Sequence, residues 1–136
     1  MVIYRQLTTP DGTILKSHHR HDFCRHEDKN GKTYMLDGGH SGYYYRSSMN
    51  GDEKFLEVTL SDPFTVKREY FERYNQFTKE YVKMKDMSNE WIENLLIWLE
   101  DRSLENSWLY RLFIEEKLYR NEQEIYVDDQ LKLELA

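Results

Sequence analysis

Along the first sixty positions the apolar residues fall in short runs separated by turn formers. Pro10-Asp11-Gly12 signals a turn, since proline presets φ and glycine accepts positive φ, and Thr13-Ile14-Leu15 opens a short strand behind it. Phe23-Cys24-Arg25-His26 and Thr33-Tyr34-Met35-Leu36 flank Asp28-Lys29-Asn30-Gly31, whose Asn-Gly is a strong hairpin signal. Asp37-Gly38-Gly39 stops the second of these strands. Tyr43-Tyr44-Tyr45-Arg46 and the run from Phe55 to Leu60 predict two more strands, joined around Asn50-Gly51. In the last, Leu56, Val58 and Leu60 alternate with Phe55, Glu57 and Thr59, so one side is consistently apolar. The spacing predicts an antiparallel β-meander of four or five strands.

The period changes at Ser61-Asp62-Pro63, where a capping residue followed by proline marks a helix start. Val66, Tyr70, Tyr74 and Phe77 then sit at helical spacing. Glu80 to Met84 predicts a short strand returning to the sheet. Asp86-Met87-Ser88 caps the next helix, with Glu90 in its first turn against the positive dipole end. Trp91, Ile92, Leu95, Leu96, Trp98 and Leu99 cover a wide apolar arc of it. Ser103 to Ser107 breaks the pattern, and a third helix near Trp108 to Glu122 carries Tyr110, Phe113, Ile114 and Leu118 on one face. Ile125-Tyr126-Val127 reads as an edge strand. The expectation is an α+β fold in one domain: the meander packed against two or three C-terminal helices, with 1–60 mostly strands, 61–129 mostly helices and 130–136 a loose tail.

Composition narrows the class. Hydrophobic residues make up 39% and charged residues 32%, which leans toward disorder, but 15% aromatic residues supply large rings that carry a core. The single cysteine, Cys24, excludes an internal disulfide framework and four-thiolate metal sites. Residues 1–6 show no basic region followed by an apolar stretch, and no run of about 18 apolar residues occurs anywhere, so neither a secretory signal nor a transmembrane helix is expected. The expected location is cytoplasmic. Residues 1–68 hold 10 Lys and Arg against 9 Asp and Glu, a net of +1, while residues 69–136 hold 9 against 16, a net of −7. Duplex binding needs a basic excess to displace counterions, so no duplex nucleic acid partner is expected.

Chemistry concentrates in the histidines: His18, His19, His21, His26 and His40 all lie in the N-terminal half. On a strand His19 and His21 share one face with His18 opposite, and His26 joins Cys24 and Asp22. His19, His21, Cys24 and His26 are the four residues suited to a zinc ion, which takes three or four such ligands. No recognised zinc spacing is present, however, and the alternative is a hydrogen-bonded polar face of imidazoles and Arg20 with Asp22 and Asp37. No structural metal and no cofactor are expected. If the chain is an enzyme, His19, His21 and His26 are the acid–base candidates for phosphodiester cleavage, with Arg20 or Arg25 steadying developing charge. The paired H-x-T/S elements of two-histidine phosphoesterases are absent. For a small nucleotide, Arg20, Arg25, Tyr44 and Arg46 combine a stacking surface with phosphate partners; alternating tyrosines are equally the mark of a half-buried strand. In the helical half, Trp91, Trp98 and Trp108 exceed what one amphipathic stripe needs. They either fill the core under the sheet, the favoured reading, or line a partner surface. Glu100, Asp101, Glu105, Glu115 and Glu116 read as an acidic outer face: a solvated surface, or, if the tryptophans line a partner surface, one that steers basic partners.

Two stretches resemble known sequences. Asp11-Gly12-Thr13, Ser17-His18-His19-Arg20-His21-Asp22 and the run from His26 through Asn30-Gly31, Tyr34-Met35 and Asp37-Gly38-Gly39 resemble small accessory proteins of tailed bacteriophages. Met87-Ser88-Asn89-Glu90-Trp91-Ile92-Glu93-Asn94, followed by Glu115-Glu116-Lys117-Leu118-Tyr119-Arg120-Asn121-Glu122, resembles a recurring ending of such proteins. Together they cover about half the chain. The resemblance implies a phage-encoded accessory protein working in the host cytoplasm and carries over no catalytic residue. With no complete catalytic motif, the expectation is a non-enzymatic protein that binds a host or defence-system protein; the alternative is a small-nucleotide binder or phosphodiester hydrolase built on the N-terminal sheet.

Overall fold

The computed structural model describes residues 1–18, 23–38, 45–47 and 51–128. It is α+β, with strands dominating the N-terminal half and helices the C-terminal half. The chain divides into two compact units, Met1–Glu72 and Arg73–Ala136.

Among the described residues, six strands build the first unit: β1 (Val2–Thr8), β2 (Ile14–Ser17), β3 (Phe23–Glu27), β4 (Thr33–Gly38), β5 (Tyr45–Ser47) and β6 (Lys54–Thr59). They form two three-stranded antiparallel sheets, ordered β2-β1-β6 and β3-β4-β5. β1, which no alternation marks in the sequence, is the central strand of the first sheet. Val2, Ile3, Tyr4, Arg5 and Leu7 are all buried, so it lacks the polar side that a half-exposed strand shows. Leu7 and Leu15 face each other in register and meet Tyr34 and Leu36 of the second sheet, with Cys24 against the cluster.

Two turns in this unit share one design. Gly12 N donates to Thr9 O and Thr9 N to Thr13 O; Gly31 N donates to Asp28 O and Asp28 N to Lys32 O. In each the glycine takes positive φ, +87° at Gly12 and +77° at Gly31. Asp28 Oδ1 also accepts from the amides of Asn30 and Lys32, 2.9 Å each. The Asn-Gly hairpin is therefore a longer loop with one left-handed residue, not a two-residue turn needing two.

α1 (Phe64–Tyr70) starts one residue later than expected, with Pro63 at the cap position rather than in the first turn; proline offers no side-chain acceptor, so no side chain caps the helix, and Asp62 Oδ2 accepts from Thr59 N at 2.7 Å. The helix is shorter than the aromatic spacing predicts. Phe71 is extended, and Tyr74 lies on β7 (Glu72–Asn75) with Phe77 in the turn beyond. Aromatics four apart satisfy a helical stripe, yet here Asn75 Oδ1 accepts from Phe77 N and Thr78 N and fixes a turn instead.

The second unit begins with the hairpin of β7 and β8 (Glu80–Lys83), so β8 pairs with its neighbour β7 and not with the N-terminal sheets. A single 3₁₀ turn at Met84–Asp86 leads to α2 (Asn89–Asp101), and α3 is Trp108–Gln123. Ser88 Oγ accepts from Trp91 N, and Ser107 Oγ from Tyr110 N, the capping contacts that start each helix. α2 buries Ile92, Leu95, Leu96 and Leu99, and α3 buries Leu112 and Phe113. At roughly 1.5–3 kcal/mol per buried large apolar side chain, these outweigh the propensity of either helix. Ile125 to Val127 forms no strand; Val127 instead exchanges hydrogen bonds with Asn89 at the start of α2. No described helix is long and apolar enough to cross a membrane.

Candidate functional site

Alternation along β2 turns Lys16, and His18 just beyond its end, toward one face of the first sheet. Gln6 lies opposite Lys16 in register, and one alternation further the rings of Tyr4 and His18 meet edge-on at 6.0 Å. Glu72, where β7 begins, closes this face. Its Oε2 accepts from Lys16 Nζ at 2.8 Å, and its Oε1 lies 2.7 Å from His18 Nε2. The Glu72 side chain is 3% exposed and that of His18 12%. Facing an ionised carboxylate, Nε2 carries the proton. Burial works to raise the Glu72 carboxyl, but the hydrogen bonds and charges of His18 and Lys16 outweigh it and hold the group below its ordinary value. Tyr4, whose hydroxyl donates to Gln6 Oε1 at 2.7 Å, is pushed above the usual phenol range, first by burial and then by the Glu72 charge. Tyr70 of α1 stacks on it at 6.1 Å. Chemically this is a half-enclosed imidazole oriented by a buried carboxylate, with the Tyr4 ring and the Lys16 ammonium beside it.

His18 is thus the described histidine with the most buried partner, although sequence reasoning set it opposite the others. Alternation could have paired it with Lys16 two positions away; nothing local announces Glu72, which is 54 residues further on. The residues singled out from sequence are placed differently. His19, Arg20, His21 and Tyr44 lie outside the described residues, as do Asp22 and His40. His26 is half-buried, and its Nε2 is 2.9 Å from Oδ2 of Asp11 in the first turn. Hydrogen bonds from Thr9 and then His26 hold that Asp11 carboxyl well below its ordinary value. Cys24 donates from Sγ to Lys16 O at 2.8 Å. Arg25 is exposed on β3 beside Phe23, and Arg46 stands opposite Asp37 on β4, two positions from Met35, the partner of Arg25. Among the described residues, no three His, Cys, Asp or Glu side chains come together in a metal-holding group.

Cavities open in the second unit among its described residues, two of them lined as follows. The larger, about 450 Å³, lies between α2, α3 and the segment after α3, with Ile92, Leu118, Ile125 and Tyr126 in its wall and the Glu93–Lys117 ion pair (2.7 Å) beside them. Arg120, also in this wall, is buried and committed: Nε donates to Glu116 Oε2 at 2.7 Å, Nη1 to Asn89 Oδ1 at 2.8 Å and Nη2 to Met84 O at 2.9 Å. Glu116 is fully buried with it, so it is not part of an acidic outer face. The smaller cavity, about 190 Å³, lies between the β7–β8 hairpin and the first turns of α2, lined by Tyr74, Phe77, Glu90, Trp91 and Asn94. None of Trp91, Trp98 and Trp108 is fully buried; the interior positions belong to leucines, Ile92, Phe113, Met84 and Met87. Trp98 is 45% exposed, with the Arg102 guanidinium 3.9 Å from its ring centre. No family model matches the chain, and no curated protein or solved structure matches it.

Proposed function

We propose that this chain is a phage accessory protein that acts without catalysis, by binding a host or defence-system protein in the host cytoplasm through the helical unit. The observation that carries this reading is the exposed apolar surface of that unit. Phe77 is 80% exposed, Tyr126 72% and Leu118 62%, and each lines one of the two cavities. Single exposed apolar residues need no explanation, but rings grouped around a concavity are the usual anchors of protein interfaces. The acidic balance of residues 69–136 favours a partner with a basic surface. Affinity capture from a host lysate, read by mass spectrometry, tests the reading. One specific bacterial protein is expected on the wild type and not on Phe77→Ser. No capture, together with turnover of a substrate by the purified chain, would sink it.

A second reading, the small-nucleotide site, draws on the outer face of β3, where Phe23 is 56% exposed next to exposed Arg25. An open ring beside a guanidinium suits a base and its phosphate. Thermal-shift screening against mono-, di- and cyclic nucleotides decides it: ligand at about 100 times its dissociation constant adds roughly 2.7 kcal/mol. A flat panel eliminates this reading.

A further inference from the structure

We propose that residues 129–136 of this chain fold back into the larger cavity, between α2, α3 and the segment after α3, and cover it. The inference stands apart from the binding reading, since it concerns what fills this cavity before a partner arrives. The cavity, about 450 Å³, is large enough to take several side chains, and Ile92, Leu118, Ile125 and Tyr126 give it an apolar wall. Leu118 and Tyr126 are exposed, so covering them removes apolar area from water. The charged groups that α2 and α3 contribute are already engaged: Glu93 with Lys117, and Arg120 with Glu116, Asn89 and Met84 O. The occupant these walls suit is apolar.

The path of the chain selects that occupant. Asn89, in the cavity wall, exchanges hydrogen bonds with Val127: Asn89 N donates to Val127 O at 2.9 Å, and Val127 N to Asn89 Oδ1 at 3.1 Å. Only residues 128–130 separate this anchor from Leu131. Leu131, Leu133 and Leu135 alternate with Gln130, Lys132 and Glu134, so an extended chain would turn all three leucines to one side and both charges to the other. Eight extended residues reach roughly 26 Å, well beyond the roughly 8–10 Å between the axes of packed helices. On so short a tether the leucines meet the cavity at an effective concentration of about millimolar, an advantage no separate protein has. A partner that reaches Leu118 or Tyr126 must displace them first.

The test uses the full chain with a nitroxide attached at Glu134→Cys, on the charged side of the segment. Cys24→Ser removes the other thiol and keeps a donor for Lys16 O. The methyl resonances of Ile92 and Leu118 are compared with the label oxidised and reduced, with Leu104, beyond the far end of α2, as the reference. Both are expected to lose roughly twofold or more of their intensity relative to Leu104, and adding Leu131→Ser with Leu133→Ser should abolish the difference. Broadening no greater at Ile92 and Leu118 than at Leu104 overturns the proposal and leaves the cavity open to a separate partner. Broadening that survives the leucine substitutions also overturns it. So does equal broadening when nitroxide-bearing chains without isotope are mixed with isotope-labelled chains without nitroxide, because the occupant is then a second copy.

Discussion

At Glu72 two nitrogens, from Lys16 of β2 and His18 just beyond it, converge on a buried carboxylate, and the folded chain holds that carboxyl below its unfolded value. A depressed acid stabilises the fold when ionised, so its contribution is fully present above the unfolded value of 4.5. It is lost as pH falls below that point and through the folded value. Glu72→Gln removes the charge and leaves Lys16 and His18 without it. Urea denaturation is expected to show about 2 kcal/mol lost at neutral pH and a flatter acid limb than the wild type. An unchanged acid limb would place the acid sensitivity elsewhere. Arg120 is the corresponding residue of the helical unit. Arg120→Met strips its guanidinium from fully buried Glu116 and should cost about 3 kcal/mol, most of it recovered by adding Glu116→Leu, because an apolar pair of similar size fills the same space. The histidines lead to a further expectation. A zinc ion on Cys24 and His26 would have to displace the contacts to Lys16 O and Asp11, so elemental analysis of tag-free protein should find no stoichiometric metal.

At the scale of elements, local chemistry was legible and long-range partnership was not. The glycine turns at Gly12 and Gly31, the Ser88 cap and the span of α3 follow from rules acting within four or five residues, and sequence shows them directly. β1 is invisible to alternation because a strand buried on both faces shows none. The aromatic spacing runs past the true end of α1 because it cannot distinguish a stripe from a turn held by Asn75. Nothing local marks Glu116 as buried, because only the fold brings the Met84–Lys85 carbonyls and Asn89 around its partner Arg120. The turn of the β7–β8 hairpin gives a clean test of the local rules. It closes with Lys79 N donating to Asn75 O at 2.9 Å, and Lys79 takes φ +61°, the left-handed region that costs a side chain roughly 1–2 kcal/mol. Lys79→Gly relieves that cost against glycine's larger entropy loss, and thermal denaturation should show a gain of about 0.5 kcal/mol. Ser88→Ala should lose about 1 kcal/mol by the same measurement.

Across the whole molecule, the +1 of residues 1–68 and the −7 of residues 69–136 divide the chain electrically close to where it divides into units. Among the described residues most of the exposed rings (Tyr74, Phe77, Tyr81, Trp98 and Tyr126) lie in the acidic half, and association with a basic partner captured there should slow as salt is raised. The rings of the β7–β8 hairpin sit within this acidic half, whereas the nucleotide alternative draws on Phe23 and Arg25 in the other. The affinity of the captured partner for two double variants separates these possibilities most directly. Tyr74→Ala with Phe77→Ala should weaken binding by roughly tenfold or more, while Phe23→Ala with Arg25→Ala leaves it unchanged. Full affinity in the first variant and loss in the second would contradict the assignment of binding to the helical unit.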